Sequence, residues 1–507
     1  MHEVVIVGSG FGGAVAACRL AAAGREVLVL ERGRRWEPED YPRKLGDPWR
    51  YDHRRPHRRN GWFDLRFLDN DMVVVTGAGV GGGSLVYANV CVDAPPEVFD
   101  TGWPAQVGAD ELEPYFERVA EMLRPNRIPA AQEPERVRLM REAAVAMGAA
   151  PRFTTLDLAV TFRADADLAT AQRPRYRLNE HGKLQGTCTH CGQCDVGCKT
   201  QAKNTLDLNY LAVAQRSGAT IRPLTVVRSL RRGRHGWQLQ VDDISSGRPV
   251  RDVVEAERVI LAAGSIGSTE ILLHSRRELP NLPRSLGKGW SSNGDFVTPA
   301  TYARRAIGPT KGPTITSAID FLDGADGARC FIEDGGLPNI YRLVADAPRG
   351  PVGRWLSRRA ELDSVMPWFG QAIDAADGDF YVGRSMWRPW SRRLRLNWNP
   401  QRSTEAIDGM AALHRAMSQE TGGRPLPRLA WSWFRWLVTP HPLGGCNMGA
   451  SPGVGVVDHA GRVFGHDGLY VMDGAVVPRA IGRNPSKTIA AVAERASELL
   501  LAEAGIR

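Results

Sequence analysis

Four cysteines fall within eleven positions in the first half of the chain. Cys188, Cys191, Cys194 and Cys198 have the spacing C-x2-C-x2-C-x3-C, which is typical of the ligands of a bacterial iron–sulfur cluster. Lys199 stands where a proline usually follows the fourth cysteine, and in two-cluster ferredoxins that cysteine serves the other cluster. A zinc site fits less well, because its ligand pairs are usually further apart. The spacing leaves two interpretations, a [3Fe-4S] or [4Fe-4S] cluster or a loop of reduced thiols.

A glycine-rich turn near the N-terminus has the pattern of a dinucleotide-binding site. The apolar run Val4–Val7 precedes it, and a helix rich in alanine and leucine follows it. A second apolar run, Val27–Leu30, leads into Glu31, so strand, GxGxxG turn, helix, strand and acid are in the expected order. The N–H groups at the start of the helix can hold phosphates, and Glu31 can accept hydrogen bonds from a ribose.

Two further segments bear on which dinucleotide is bound. Val73–Val90 supplies five glycines between a strand and the start of a helix, so the backbone can approach a large flat group closely. This favours a flavin over a second nicotinamide site. Arg258–Ser275 is predicted as a strand, a Gly/Ser turn and a helix that pass near the cofactor again.

A third block of chemistry lies near the C-terminus. The sequence HPLGGCNMG begins at His441, and about forty residues later Asn484, Pro485 and Ser486 open a helix with apolar residues at helical spacing. We expect the start of this helix to point at the active centre. Considered by itself, His441 has a second interpretation, that of a buried structural histidine near a Gly-Gly turn.

These blocks together resemble the glucose–methanol–choline (GMC) oxidoreductases, and within them the cholesterol oxidase-like branch. The resemblance covers residues 2–33, 73–92, 186–211, 258–276 and 441–500. It implies a noncovalent FAD and oxidation of an alcohol by hydride transfer to flavin N5. By motif, His441 resembles the family's general base and Asn484 its partner at the flavin edge. The residues that we predict to bind the cofactor are Gly8, Gly10, Phe11, Gly12, Gly13, Glu31, Gly79, Gly82, Gly83, Ser84, Val226, Val227, Ala263, Gly264, Asp473, Gly474, Pro485 and Ser486.

Two departures from the steroid enzymes concern the substrate. In cholesterol oxidases a carboxylate of the substrate domain isomerises the steroid double bond, and Glu361 is the candidate by rough alignment. Tyr87 stands where the resemblance implies a small polar side chain. Both departures weaken the case for a sterol.

The fold class expected is α/β, a Rossmann-like FAD-binding domain of the GMC type with an interleaved α+β substrate-binding domain. We predict that the FAD-binding domain takes residues 1–40, 70–150, 200–295 and 435–507. We predict that the substrate-binding domain takes residues 41–69, 151–199 and 296–434, with the cysteine-rich loop at 186–200.

Charge and composition limit the partners. The formal net charge of +9 is a mild excess for 507 residues, and no nucleic-acid-binding motif accompanies it, so we expect no nucleic-acid partner. The basic run Tyr51–Trp62 is interpreted as a solvated loop, with peripheral contact to anionic lipid as the alternative.

Neither a signal peptide nor an apolar run of the roughly 18–20 residues of a membrane span is recognised. We therefore expect a cytoplasmic protein, where a disulfide is disfavoured.

Three functions remain open from the sequence. The leading one is an FAD-dependent oxidation of a hydrophobic, sterol-like or other alcohol, with oxygen or an electron carrier as the acceptor. The second is a flavin and iron–sulfur alcohol dehydrogenase that passes electrons to an acceptor other than oxygen. The third is a lyase that keeps the flavin but performs no net redox chemistry.

Overall fold

The structure is a computed structural model that describes residues 1–69, 71–324, 327–338, 362–385, 388–426, 437–503 and 505. The strands in these residues are β1 (His2–Val7), β2 (Val27–Leu30), β3 (Arg50–Tyr51), β4 (Phe63–Phe67), β5 (Met72–Gly77), β6 (Phe153–Thr155), β7 (Arg177–Leu178), β8 (Leu184–Gln185), β9 (Thr220–Arg222), β10 (Thr225–Arg232), β11 (Trp237–Asp243), β12 (Val250–Leu261), β13 (Lys288–Trp290), β14 (Phe296–Thr301), β15 (Ser317–Asp320), β16 (Cys330–Asp334), β17 (Val365–Ala372), β18 (Gly378–Ser385), β19 (Arg388–Asn397), β20 (Arg424–Pro425), β21 (Leu437–Thr439) and β22 (Leu469–Val471). The α-helices are α1 (Phe11–Ala22), α2 (Ala109–Leu123), α3 (Glu135–Ala146), α4 (Leu168–Ala171), α5 (Tyr210–Arg216), α6 (Gly264–Ser275), α7 (Thr404–Glu420) and α8 (Ser486–Glu503). The predicted α/β class is confirmed.

A parallel sheet carries the N-terminal motif. β9, β2, β1, β12 and β22 pair in parallel in that order, and β11 and β10 extend the sheet in the antiparallel sense from the first half of β12. β1 and β2 consist mainly of buried branched residues, as expected for parallel strands covered on both faces. The carboxyl ends of β1, β2 and β12 lie at one edge, where ligands of such sheets bind.

The C-terminal helix joins the layers that cover this sheet. Glu494 of α8 is buried and accepts hydrogen bonds from Arg19 Nε and Nη2 of α1, at 2.6 and 2.8 Å. Its Oε1 also accepts the hydroxyl of Tyr210 at the start of α5, at 2.7 Å. One buried carboxylate therefore links three helices that come from distant parts of the sequence.

A second large sheet is antiparallel. Its order is β20, β14, β17, β16, β15 and β6, with α7 packed on β14 and β17 and α3 packed on β15. β16 is buried at all five positions although it ends in two acids, Glu333 and Asp334. Smaller sheets are formed by β21, β5, β4 and β3, by β13, β18 and β19, and by β7 and β8. The domain boundaries given above stay a prediction.

None of the helices in the described residues combines the length and the apolar character needed to cross a bilayer.

Candidate active site

His441 lies just after β21, where the chain leaves the small sheet that contains β5. Its Nδ1 is 2.8 Å from Oδ1 of Asp295, and the two side chains are 17% and 0% exposed. Phe369 of β17 lies beside it, with ring centroids 6.2 Å apart. His441 is thus a partly accessible imidazole with one nitrogen bonded to a buried carboxylate.

Asn484 and two residues of the antiparallel sheet meet at a second point of the site. Oε2 of Glu333 on β16 accepts Nε2 of Gln371 on β17 at 2.8 Å and Nδ2 of Asn484 at 3.5 Å. The other oxygens, Oε1 of Glu333, Oε1 of Gln371 and Oδ1 of Asn484, are buried without a hydrogen-bond partner among the described residues. Buried polar atoms are rarely left unpaired, so these three oxygens indicate a ligand with donor groups.

Glu333 and His441 have shifted pKa values. Burial raises the pKa of Glu333 to about 8, against the lowering effects of Gln371 and the charge of His441. Burial acts to lower the pKa of His441, but the charge and hydrogen bond of Asp295 outweigh it, and the pKa is raised. At neutral pH Glu333 is therefore mostly protonated. Displaced pKa values of this kind cluster at functional sites.

Sequence reasoning identified His441 and Asn484 but missed Asp295, Glu333 and Gln371. The signal available for Glu333 was a glutamate at the end of a buried apolar strand, in CFIED. Asp295 and Gln371 follow no local motif. Glu361, the carboxylate proposed from the sequence, lies outside the described residues.

The first glycine turn has the conformation that its sequence predicts. Gly8 has φ of +100°, and a Cβ at Gly13 would lie 2.1 Å from the carbonyl oxygen of Gly8. A Cβ at Gly12 would lie 1.6 Å from the carbonyl oxygen of Met472, so α1 touches the chain that follows β22. A Cβ at Gly10 would meet nothing within 4 Å. The open side of Gly10, at the uncapped start of α1, fits the approach of a pyrophosphate.

Glu31 is buried at the end of β2 and faces the same turn. Its Oε2 accepts the N–H and the hydroxyl of Ser9, at 3.1 and 2.6 Å, and its Oε1 accepts the N–H of Gly33 at 2.8 Å. The carbonyl of Glu31 accepts the N–H of Thr225, which brings the start of β10 and the predicted contacts Val226 and Val227 beside it. This carboxylate retains lone pairs for ribose hydroxyls.

The second glycine segment packs directly on the first. A Cβ at Gly82, which has φ of +53°, would lie 2.6 Å from Cα of Gly10, and one at Gly79 would lie 2.4 Å from the ring of Trp36. Gly83 has open space on its Cβ side. The Ser84 hydroxyl has structural partners, because it donates to Gly81 O and accepts the N–H of Leu206.

Asn89, which the sequence did not single out, ends this segment with φ of +71°. It is fully buried, and both polar atoms of its side chain lack a partner within the described part of the chain. Phe11 packs edge to face with Tyr87, with centroids 5.5 Å apart. The Tyr87 hydroxyl donates to the carbonyl of Asn204, so this half-buried side chain is held at its ring and at its hydroxyl. The orphaned amide of Asn89 and the open side of Gly10 fit a bound flavin nucleotide.

Asp473 connects the remaining predicted cofactor contacts. Its Oδ2 accepts the N–H of Gly264 at 2.8 Å and the hydroxyl of Ser268 at 2.5 Å, and its Oδ1 accepts the N–H of Ala475. Burial raises the pKa of Asp473 to about 6. The Ser268 hydroxyl in turn accepts the N–H of Ala263 at 3.0 Å. Asp473 thus joins the start of α6 to the turn after β22.

Gly474 and the start of α8 connect this turn to the catalytic block. The carbonyl of Gly474 accepts the N–H of Gly444 at 2.8 Å, and a Cβ at Gly474 would lie 3.4 Å from the carbonyl oxygen of Pro442. Pro485 precedes α8, and the Ser486 hydroxyl lies 3.4 Å from the carbonyl oxygen of Val90. The segments predicted to bind the cofactor are therefore in contact with the segment that follows His441.

The iron–sulfur interpretation of the cysteine loop is not supported. All four cysteines are free, Cys191 is exposed while Cys188 is buried, and no group of three or more His, Cys, Asp or Glu side chains in the described ranges is arranged to hold a metal. Lys203 Nζ donates instead to the carbonyls of Leu85 and Cys194, at 2.8 and 2.7 Å. Burial raises the pKa of the Cys194 thiol to about 11. The loop consists of free cysteines packed beside a buried lysine, Lys203.

The chain belongs to the GMC oxidoreductase family. Family models described as GMC oxidoreductase match residues 2–281 and 382–493. The predicted family is confirmed, and with it an FAD-dependent flavoprotein of the class that oxidises CH–OH donors.

Relatives of this chain include sterol and fatty-alcohol oxidases. It is 29% identical to a cholesterol oxidase of Acinetobacter baumannii, over 99% of this chain and 95% of that protein. It is 30% identical to a cholesterol oxidase of Mycobacterium tuberculosis, over 98% of this chain and 91% of the relative. A long-chain-alcohol oxidase of Arabidopsis thaliana is 24% identical, over 97% of this chain and 66% of the plant protein.

Solved structures confirm the fold. A pyridoxine 4-oxidase from Mesorbium loti superposes with a TM-score of 0.65 at 18% identity, covering 98% of this chain and 99% of that one. A fungal aryl-alcohol oxidase gives a TM-score of 0.61 at 16% identity, covering 99% of each chain. The Rossmann-like FAD-binding fold with a substrate domain is thus the observed architecture.

Proposed function

We propose that this protein oxidises the hydroxyl group of a hydrophobic alcohol, with a noncovalently bound FAD and His441 as the general base. The observation that best supports the proposal is the meeting of His441, Glu333 and Asn484, which come from three distant segments, beside the cofactor motifs. Two buried amide oxygens without partners among the described residues, Oε1 of Gln371 and Oδ1 of Asn484, provide acceptors for donor groups of a bound ligand at this point.

The chemistry assigns a role to each side chain. An alcohol hydroxyl is too weak an acid to ionise first at neutral pH. A base must therefore take the proton from the oxygen as hydride leaves the carbon that bears the hydroxyl. Nδ1 of His441 is bonded to Asp295, which leaves Nε2 to receive that proton. Asn484 orients the hydroxyl by donating the second N–H of its Nδ2 to the hydroxyl oxygen, while its first N–H is directed at Glu333. FAD, when bound, supplies the two-electron acceptor.

The proposed substrate is apolar outside its hydroxyl group. The aromatic ring of Phe369 lies beside His441, and relatives of this chain are named for cholesterol and for long-chain alcohols. Oxygen is the proposed acceptor of the electrons, because these relatives are named oxidases.

Glu333 favours a second activity if the substrate is a steroid. In its ionised form, a buried carboxylate whose conjugate acid has a pKa of about 8 is basic enough to take a proton from carbon and return it elsewhere, as movement of a double bond requires. We assign this isomerase role to Glu333, in place of the Glu361 suggested by the sequence.

The decisive experiment is anaerobic mixing of the purified holoprotein with cholesterol and with long primary alcohols, followed by flavin absorbance. Bleaching with an alcohol is expected, with oxygen consumption on readmission of air. His441→Gln is expected to slow bleaching roughly 10²–10⁴-fold, the usual contribution of a general base. The exposed His235→Gln in the hairpin of β10 and β11 is the matched control.

Four outcomes would contradict the proposal. Conversion of an alcohol without bleaching would identify a lyase, and bleaching that only an added carrier reverses would identify a dehydrogenase. Full activity of His441→Gln would remove the proposed base. Flavin that stays with the precipitate after acid denaturation would contradict noncovalent binding.

A further inference from the structure

We propose that Asp295 is a positioning residue that fixes the tautomer of His441, so that Nδ1 carries the proton and Nε2 is the base. The inference rests on the proposed general-base role of His441. It concerns a carboxylate that enters no motif in the sequence.

The first support is a closed set of hydrogen bonds. Oδ1 of Asp295 is 2.8 Å from Nδ1 of His441, and Oδ2 accepts the Thr439 hydroxyl at 2.6 Å. The same hydroxyl accepts the backbone N–H of His441 at 2.9 Å. The imidazole is therefore held both through its ring nitrogen and through its own backbone.

The second support is the position of these residues. Asp295 immediately precedes β14, and Thr439 ends β21, so neighbouring strands of two sheets fix the carboxylate and the histidine. Both Asp295 and Thr439 are buried, whereas His441 is partly exposed. The arrangement thus presents the opposite edge of the imidazole to the site.

Charge supports the same assignment. The charged groups that act on the pKa of His441 in the described residues are Asp295 and Glu333, and Asp295 has the larger effect. The other buried carboxylate of this region, Asp374, is bonded to Ser291 and Ser292 instead. A carboxylate at Nδ1 prevents the tautomer in which Nε2 is protonated and unable to accept, and it stabilises the imidazolium that forms.

The test uses the holoprotein and the alcohol that bleaches its flavin best. Asp295→Asn is expected to lower kcat roughly 10²–10⁴-fold, the usual contribution of a general base, with KM little changed. Loss of the carboxylate also lowers the pKa of His441, so the acid limb of kcat/KM is expected to move to lower pH. Asp295→Glu is expected to restore part of kcat and the position of that limb.

A spectroscopic readout is independent of turnover. Long-range ¹H–¹⁵N spectra of histidine-labelled protein, with the His441 signals assigned by loss in His441→Gln, are expected to report the Nδ1–H form in the wild type. In Asp295→Asn the signals are expected to shift towards the Nε2–H form. Glu494→Gln is the matched control, because it removes a buried carboxylate whose partners, Arg19 and Tyr210, do not contact His441 or Asp295.

Each outcome bears on the proposal separately from the proposed function. An Nε2–H tautomer in the wild type, or an acid limb that does not move in Asp295→Asn, would overturn it. An equal shift of the acid limb in Glu494→Gln would also overturn it, since the effect would then be structural. Full activity of His441→Gln would reject the general-base role, while the tautomer spectra would still decide the assignment of Asp295.

Discussion

Glu333 illustrates how one side chain changes its role with its proton. Its Oε2 accepts two amide N–H groups, while its Oε1 has no partner among the described residues. When protonated on Oε1, the carboxyl becomes a hydrogen-bond donor into the site. When ionised, it is a buried charge that two amides only partly stabilise.

The stability of the protein should therefore depend on pH through Glu333. The folded protein holds this proton up to a pKa of about 8, whereas a glutamate in the unfolded chain has lost it above 4.5. Between these values the folded state binds more protons, so stability falls as pH rises and the contribution levels off above pH 8. Each unit of difference corresponds to about 1.4 kcal/mol, and we expect a total loss of a few kcal/mol.

Melting curves of the holoprotein between pH 5 and 9 measure this effect. Glu333→Gln keeps the shape of the side chain but cannot ionise, so its Tm is expected to fall less with pH than that of the wild type. Glu405→Gln, an exposed position in the first turn of α7, is the control and should follow the wild type. Parallel curves for Glu333→Gln and the wild type would mean that Glu333 does not titrate in this range.

At the scale of elements, the start of α1 has two glycines, Gly10 and Gly12, that are required for different reasons. A Cβ at Gly12 would collide with the carbonyl oxygen of Met472, while a Cβ at Gly10 would enter open space. Gly12 is required for the close packing of α1 against the chain after β22. We expect Gly10 to be required for binding of the cofactor.

These two glycines give a paired prediction. Gly10→Ala is expected to fold with a circular dichroism spectrum like that of the wild type but to lose most of its flavin, because the methyl group occupies the space offered to the pyrophosphate. Gly12→Ala is expected to lower the free energy of unfolding of the apoprotein by about 1–3 kcal/mol through overpacking. Flavin absorbance per protein and urea titration measure the two effects. Full flavin content in Gly10→Ala would place the pyrophosphate elsewhere.

The features that could be predicted from sequence are those that follow local patterns. β1, β2, α1 and α8 follow local patterns of apolar periodicity and glycine placement, and they were predicted within a few residues. His441 and Asn484 follow short motifs. Glu333 and Gln371 lie on paired strands, 38 residues apart in sequence, and only the pairing of β16 with β17 brings them together. Sequence periodicity does not specify such pairing, so these residues could not be assigned.

At the scale of the whole molecule, the site lies where the parallel and antiparallel sheets meet. The small sheet runs from β21, the strand before His441, across β5 and β4 to β3. Between β3 and β4 the chain makes a turn that exposes four arginines, Arg54, Arg55, Arg58 and Arg59, which we call the basic turn. The apolar alcohol proposed as the substrate would reach the enzyme from a lipid phase. The charge of the basic turn therefore bears on delivery of the substrate.

We predict that the basic turn binds anionic membranes. Each basic residue near a negatively charged surface adds about 1 kcal/mol, so the four arginines should be enough for measurable partition. Sedimentation of the holoprotein with vesicles of phosphatidylcholine and phosphatidylserine is expected to show binding that rises with the anionic fraction and falls with salt. Replacing all four arginines by glutamine is expected to weaken partition at least tenfold.

Net charge alone must be separated from this local effect. The matched control replaces four other exposed arginines, Arg231, Arg234, Arg248 and Arg251 in and near the hairpin of β10, β11 and β12, by glutamine. It changes the net charge equally and is expected to keep most of the vesicle binding. Equal loss in both variants would assign the attraction to the overall charge of +9, and no binding by the wild type would leave the basic turn as a solvated loop.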